Sequence, residues 1–158
     1  MAEMIKIRST TDTMISLYDA SIPLHKVWSK RNAICTVERD KLVQVYFSSS
    51  LEDMLRSGAL VIEDKDFLYE VGFITEEDAT VEVIELTPTL MKRYIKLMPL
   101  AELEMEIKKL SPFQLTELAT FAIENNNDLM MDRVSLLSKY CHKDILRAIE
   151  LYRKNQED

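Results

Sequence analysis

Two glycines in 158 residues is the feature that most limits what this chain can fold into. Glycine alone enters the left-handed backbone region freely; a residue with a Cβ loses roughly 1–2 kcal/mol there. Phosphate-cradling loops of the GxGxxG or GxxxxGK[ST] kind need several such positions close together, and this chain cannot build them. Both glycines sit instead where a short helix must stop. In "SSSLEDMLRSGALVIED" (48–64), Ser50 with Asp53 three residues later reads as a capping-box-like start. Leu51, Met54 and Leu55 make the apolar stripe, and Gly58 ends the helix ahead of a strand, "ALVIE" (59–63). Gly72 repeats the device: Asp64 or Asp66 opens "FLYEV" and Gly72 closes it. Gly58 and Gly72 are therefore structural turn residues.

Around these stops the first 86 residues read as mixed α and β. "MIKIRS" (4–9) and "TMISLYD" (13–19) alternate apolar and polar residues, the period of a half-buried strand. "HKVWSK" and "NAICTVE" supply two further extended pieces, and "ERDKLVQVYF" (38–47) is expected to be helical because no turn interrupts it. "ATVEVIEL" (79–86) is the expected last strand. Beyond it the chain turns helical. Thr87-Pro88 pairs an N-cap with proline at the first helical position, and Pro99 and Ser111-Pro112 mark two more starts in the same way. The helices so delimited run near 88–97, 99–110, 112–125, 128–140 and 143–154, with apolar positions such as Met91, Tyr94, Ile95 and Met98, or Met130, Val134 and Leu137, at helical spacing. The expected fold class is α+β: a small mixed α/β N-terminal subdomain (1–86) followed by a C-terminal helical bundle (87–158).

The same residues disfavour most chemistry. A formal charge of −7, from 27 acids against 20 bases, opposes sequence-independent binding to nucleic acid. No apolar run approaches the roughly 20 residues that cross a bilayer, and "MAEMIKIRST" lacks the apolar segment of a signal peptide, so neither membrane insertion nor secretion is expected. Cys35 and Cys141 read as reduced, half-buried thiols. His25 and His142 are the only histidines and belong to no chelating pattern; Cys141-His142 reads as a buried thiol beside a capping histidine. A Cys–His nucleophilic pair could be assembled in space from Cys35 with His25 or Cys141 with His25, but nothing in the sequence locates an oxyanion hole or an orienting carboxylate. The expectation is no catalytic residue, no metal, no cofactor: not an enzyme.

Two patches stand out as contact candidates. "HKVWSKRN" (25–32) gathers Lys26, Lys30, Arg31 and the only tryptophan, Trp28, in a stretch without acids. Tryptophan beside arginine is a favoured interface anchor, and basic–aromatic clusters also hold nucleic acid; in the plainer reading Trp28 fills the small core while the lysines face water. In "PLAELEMEIKKL" (99–110), Leu100, Leu103, Ile107 and Leu110 form a narrow seam that suits either a neighbouring subunit or the chain's own next helix.

Most of the chain resembles a group of small proteins encoded by tailed bacteriophages. The matching residues are "IKIRSTTDTMISLYD", "VWSKRNAICTVERDKLVQVYFSSSLEDMLRSGALVIEDKD", "LTPTLMKRYI" and "LSPFQLTELATFAIENNNDLMMDRVSLLSKYCHKDILRAIELYRK". In such proteins a Trp-x-Lys hairpin precedes an amphipathic segment, a Gly-x-Leu strand and an acidic turn, and helices ending in a K-D-I…I element follow. These are packing motifs and transfer no catalytic residue. What the resemblance implies is a virion or host-cytoplasm location and a structural or assembly role, with partners that are further copies of the chain, other phage proteins or a host protein. Two alternatives stand beside that expectation. One is a small acidic regulator that occupies a host enzyme or transcription component. The other is a helix-turn-helix-like nucleic-acid binder formed by 128–140 and 143–154, for which His142, Lys143 and Arg147 are a thin basic supply.

Overall fold

The computed structural model describes residues 3–22, 24–48, 50–76 and 83–157. It is an α+β chain, strands first and helices after, in two compact units, Met1–Glu85 and Leu86–Asp158.

In the first unit, β1 (Met4–Ser9) is the centre of a three-stranded antiparallel sheet, flanked by β4 (Ile34–Glu38) and by the two-residue β5 (Leu60–Val61). The register pairs Ile5 with Val37 and Ile7 with Cys35, so the alternation read in "MIKIRS" buries Ile5 and Ile7 and leaves Met4 and Lys6 outside. β2 (Ile15–Asp19) and β3 (Leu24–Trp28) form a separate hairpin in which Ile15 pairs with Trp28 and Tyr18 with His25. The ambiguous run after β4 is α1 (Arg39–Ser48), burying Leu42, Val45 and Tyr46. α2 (Leu51–Arg56) and α3 (Lys65–Glu70) add Leu51, Leu55, Phe67 and Leu68 to the core.

Both glycines end helices by the same motif. Gly58 has φ +81° and its N–H donates to the Leu55 carbonyl, while Ala59 N–H reaches back to Met54; Gly72, at φ +83°, and Phe73 repeat this onto Tyr69 and Leu68. Two crossed bonds around a left-handed residue make a Schellman end, which satisfies carbonyls that the last helical turn leaves open. Chain neighbours aside, a Cβ on Gly72 would meet no atom of the described residues within 4 Å, so the penalty lies in the backbone angle. Gly72→Ala is therefore expected to lower unfolding free energy by about 1–2 kcal/mol; a urea titration that gave no change would refute this reading of the stop.

The helix starts sort by backbone geometry. Asp64, Thr87 and Ser111 are extended at the N-cap, and their side chains accept from Phe67, Leu90 and Gln114 N–H. At Ser111 the box is complete, because the Gln114 side-chain oxygen accepts from Ser111 N–H at 3.1 Å. The box expected at Ser50 does not form: its backbone lies at φ −85°, ψ 10°, and the hydroxyl makes no bond to the first turn. A capping serine needs an extended backbone to aim its oxygen at those amides. The expected strand 59–63 contracts to Leu60–Val61. Of the expected strand 79–86, residues 79–82 lie outside the described residues, and 83–86 are not part of any strand among the described residues.

The second unit holds α4 (Pro88–Lys92), a π-helical continuation over Arg93–Leu97, then α5 (Leu100–Ile107), α6 (Pro112–Glu124), α7 (Met131–Cys141) and α8 (Ile145–Glu157). Met98 N–H closes the wide turn onto the Arg93 carbonyl at 2.9 Å, and Pro99 then forbids continuation. Pro99 itself is the N-cap residue of α5, one position before the helical place expected for it. α6 packs on α7 and α8, α7 on α5, α4 on α6. Met91, Tyr94, Ile95, Leu118, Ala122, Val134, Leu137, Ile145 and Ile149 are buried between them. Met130, expected on the apolar stripe of a helix over 128–140, is exposed: α7 begins at Met131, and Met130 serves as its N-cap. His142 takes the left-handed C-cap of α7, φ +52°.

Candidate functional site

Trp28 sits at the end of β3 with its indole enclosed, 0% exposed, and Nε1–H donating to the Ile7 carbonyl at 3.0 Å. This bond ties the hairpin to the central strand of the neighbouring sheet. As an interface anchor Trp28 is corrected: a ring that large, closed in and hydrogen-bonded to a core strand, belongs to the fold. Arg31 is likewise turned inward, donating to the Thr10 carbonyl and lying 3.7 Å from Asp12. Lys30 alone of the three faces solvent. Beside it Asn32, at φ +66°, supplies the left-handed residue of the turn between β3 and β4.

The α5 seam divides in the same way. Leu103, Ile107 and Leu110 are buried, and Tyr140 of α7 donates to Glu104 at 3.0 Å across the contact. The seam is packed on the chain's own helix, so as a subunit contact it is corrected for those three residues. Leu100 remains 39% exposed, and two neighbours not singled out by the periodicity are more so: Leu97 at 74% and Met105 at 64%. Met105 shares its outward face with Ala101, Glu102, Lys108 and Lys109, the i±3 and i±4 positions around it.

The thiols and imidazoles are engaged in structure. Cys141 Sγ donates to the Leu115 carbonyl, and burial pushes its titration up, away from the reactive thiolate. Cys35 Sγ contacts the Val27 carbonyl at 3.5 Å, while the His25 ring meets Tyr18 edge-to-face at 5.8 Å. Among the described residues no group of three His, Cys, Asp or Glu side chains could hold a metal ion, and no helix is long and apolar enough to cross a membrane.

One feature of the first unit was not legible beforehand. A cleft of ≈ 360 Å³ opens beside β5, walled by Leu55, Leu60, Ile62, Leu68 and Phe73. Arg56 lies over the Phe73 ring at 4.9 Å. At the rim Arg8, on the outer face of β1, grips Glu85 with two parallel bonds of 2.8 and 3.0 Å and also donates to Asn32. Val83 lines the same cleft, as do Glu63 and Lys65. A volume in this range with apolar walls and a few converging polar groups is ligand-sized.

No protein-family model matches this chain, and neither does a curated protein sequence or a solved structure. What the site can do therefore rests on its own chemistry. The Arg8 fork is a carboxylate receptor, filled here by a residue 77 positions away in sequence. The Arg8 hydrogen bond holds Glu85 below the usual glutamate range. A carboxylate depressed in the folded state contributes stability above its unfolded titration, and that contribution disappears as pH falls through the folded value. Solvent screening at a partly exposed pair keeps the effect to about 1 kcal/mol or less. Accordingly, Glu85→Gln should destabilise the chain slightly at neutral pH, and the gap to the unsubstituted protein should close on acidification below the folded pKa. A gap that stayed constant with pH would contradict an ionic origin.

Proposed function

We propose that this chain is a non-enzymatic structural or assembly protein that works through protein–protein contacts, first of all with copies of itself. The observation that carries the reading is that three large apolar side chains in and just before α5, Leu97, Leu100 and Met105, are turned to water. Single exposed apolar residues are ordinary on any surface, but Met105 stands at the middle of an exposed charged face, the usual surround of a contact. The rim here is self-complementary. Glu102 and Lys108 lie three residues to either side of Met105 on one exposed face, so a two-fold axis near Met105 would bring Glu102 of one copy opposite Lys108 of the other.

The resemblance to small tailed-phage proteins gives this contact a setting in particle structure or assembly. Light scattering of the purified chain, alone and mixed with virion proteins, together with mass spectrometry of purified particles, tests that setting. The expected result is a species heavier than the monomer and the chain's peptides in the particle spectra. A strict monomer that binds no virion protein and is missing from particles would overturn it.

A further inference from the structure

We infer that a cavity between β3 and β4 binds a small phosphomonoester, its phosphate held between Lys26 and Lys41 and its apolar body resting on Met4 and Leu24. The inference goes beyond the self-association reading and concerns the first unit alone. β3 and β4 follow one another in the chain but belong to different sheets. Near the turn that joins them they touch, where Cys35 Sγ meets the Val27 carbonyl. Farther from that turn, residues 24–26 of β3, residues 36–38 of β4, Met4 and Lys41 of α1 bound a cavity of ≈ 360 Å³. A single phosphorylated ring fits within such a volume.

The charge of the wall selects the ligand. The chain carries −7 overall, yet this cavity gathers Lys26, Lys41 and His25 against one acid, Glu38. In the cleft beside β5, by contrast, Glu63 and Glu85 balance Arg8 and Lys65, and Arg8 is bonded to Glu85. Lys26 shares its face of β3 with Leu24 and Trp28, both buried, so its stem runs along apolar surface and the residue is half-buried. Among the described residues, none of the ion pairs involves Lys26. A half-buried ammonium without a counter-ion is costly, and a ligand oxyanion supplies one. Lys41 faces Glu38 at 3.9 Å, an exposed pair too long and too solvated to hold it fast. Thr36, exposed on the same wall, adds a hydroxyl donor. A phosphate dianion suits two ammonium groups that approach it as point charges from different elements.

The test titrates the full chain with phenyl phosphate and follows the backbone amides by NMR, with phenol and inorganic phosphate as controls. Amides of residues 24–26 and 36–41 should shift, and phenyl phosphate should bind about tenfold more tightly than either control. Lys26→Gln should weaken that binding about tenfold. Glu38→Gln removes the competing acid and should tighten it about threefold, a gain that misfolding cannot produce. Lys154→Gln, on an exposed part of α8, should leave it unchanged. Shifts that are absent at millimolar phenyl phosphate, that fall only on other residues, or that survive Lys26→Gln undiminished would overturn the site. Phenol binding as tightly as phenyl phosphate would overturn the role of the anion, and inorganic phosphate binding equally well would overturn the apolar contact.

Discussion

Trp28→Ala should lower the unfolding free energy by about 3–5 kcal/mol, a large part of the roughly 5–15 kcal/mol that holds a domain of this size together. The ring is wholly enclosed, and its N–H serves the Ile7 carbonyl on the strand at the centre of the sheet. Truncation removes the largest apolar side chain of the core, leaves a cavity between hairpin and sheet, and takes the indole donor away from Ile7. Trp28→Phe separates these effects. It keeps much of the volume and deletes the donor, so about 1–3 kcal/mol is expected. Urea titrations followed by circular dichroism read both variants. Were Trp28 an interface anchor, the alanine variant would unfold at the unsubstituted midpoint and lose only association.

Leu103→Ala is the second large effect, about 2–5 kcal/mol, because Leu103 is fully buried where α5 packs on α7. Met105 lies two residues away on the opposite side of the same helix, and Met105→Ala should change stability by no more than about 0.5 kcal/mol. The pair of variants separates two roles within one helix. If Met105→Ala proved as costly as Leu103→Ala, the assignment of inner and outer faces would be wrong.

These two cases mark what the sequence could and could not tell. Local chemistry was readable. Proline and serine placed the starts at Thr87 and Ser111, and both glycines stop helices because only a residue without a Cβ takes φ near +80° freely. Alternation placed β1, and its inward residues are the buried ones. Periodicity marks an apolar face without saying what covers it, which is why the Leu103 and Ile107 seam suited a neighbouring subunit or the chain's own next helix, whereas the structure packs it on α7. Trp28 posed the same ambiguity: tryptophan is frequent in cores and at contacts alike.

The cleft was hidden for a different reason. Its polar rim joins residues 8 and 85, and its walls come from 55 to 73. No spacing rule spans such distances. Only the antiparallel register of β1 with β5, pairing Arg8 with Val61, brings the guanidinium there. The Ser50 box failed more locally: the right residue types stand at the right spacing, but the turn leading into α2 leaves the serine backbone outside the extended region.

Sedimentation velocity over a concentration series, on the unsubstituted chain and on Leu97→Glu/Met105→Glu, tests the proposal that this protein associates through the apolar side chains exposed in and just before α5. The account predicts that the unsubstituted chain, of monomer mass 18.4 kDa, shifts toward dimer as concentration rises, while the folded double variant stays monomeric throughout. An unsubstituted chain that remains monomeric at every concentration, or a double variant that associates equally well, would contradict it.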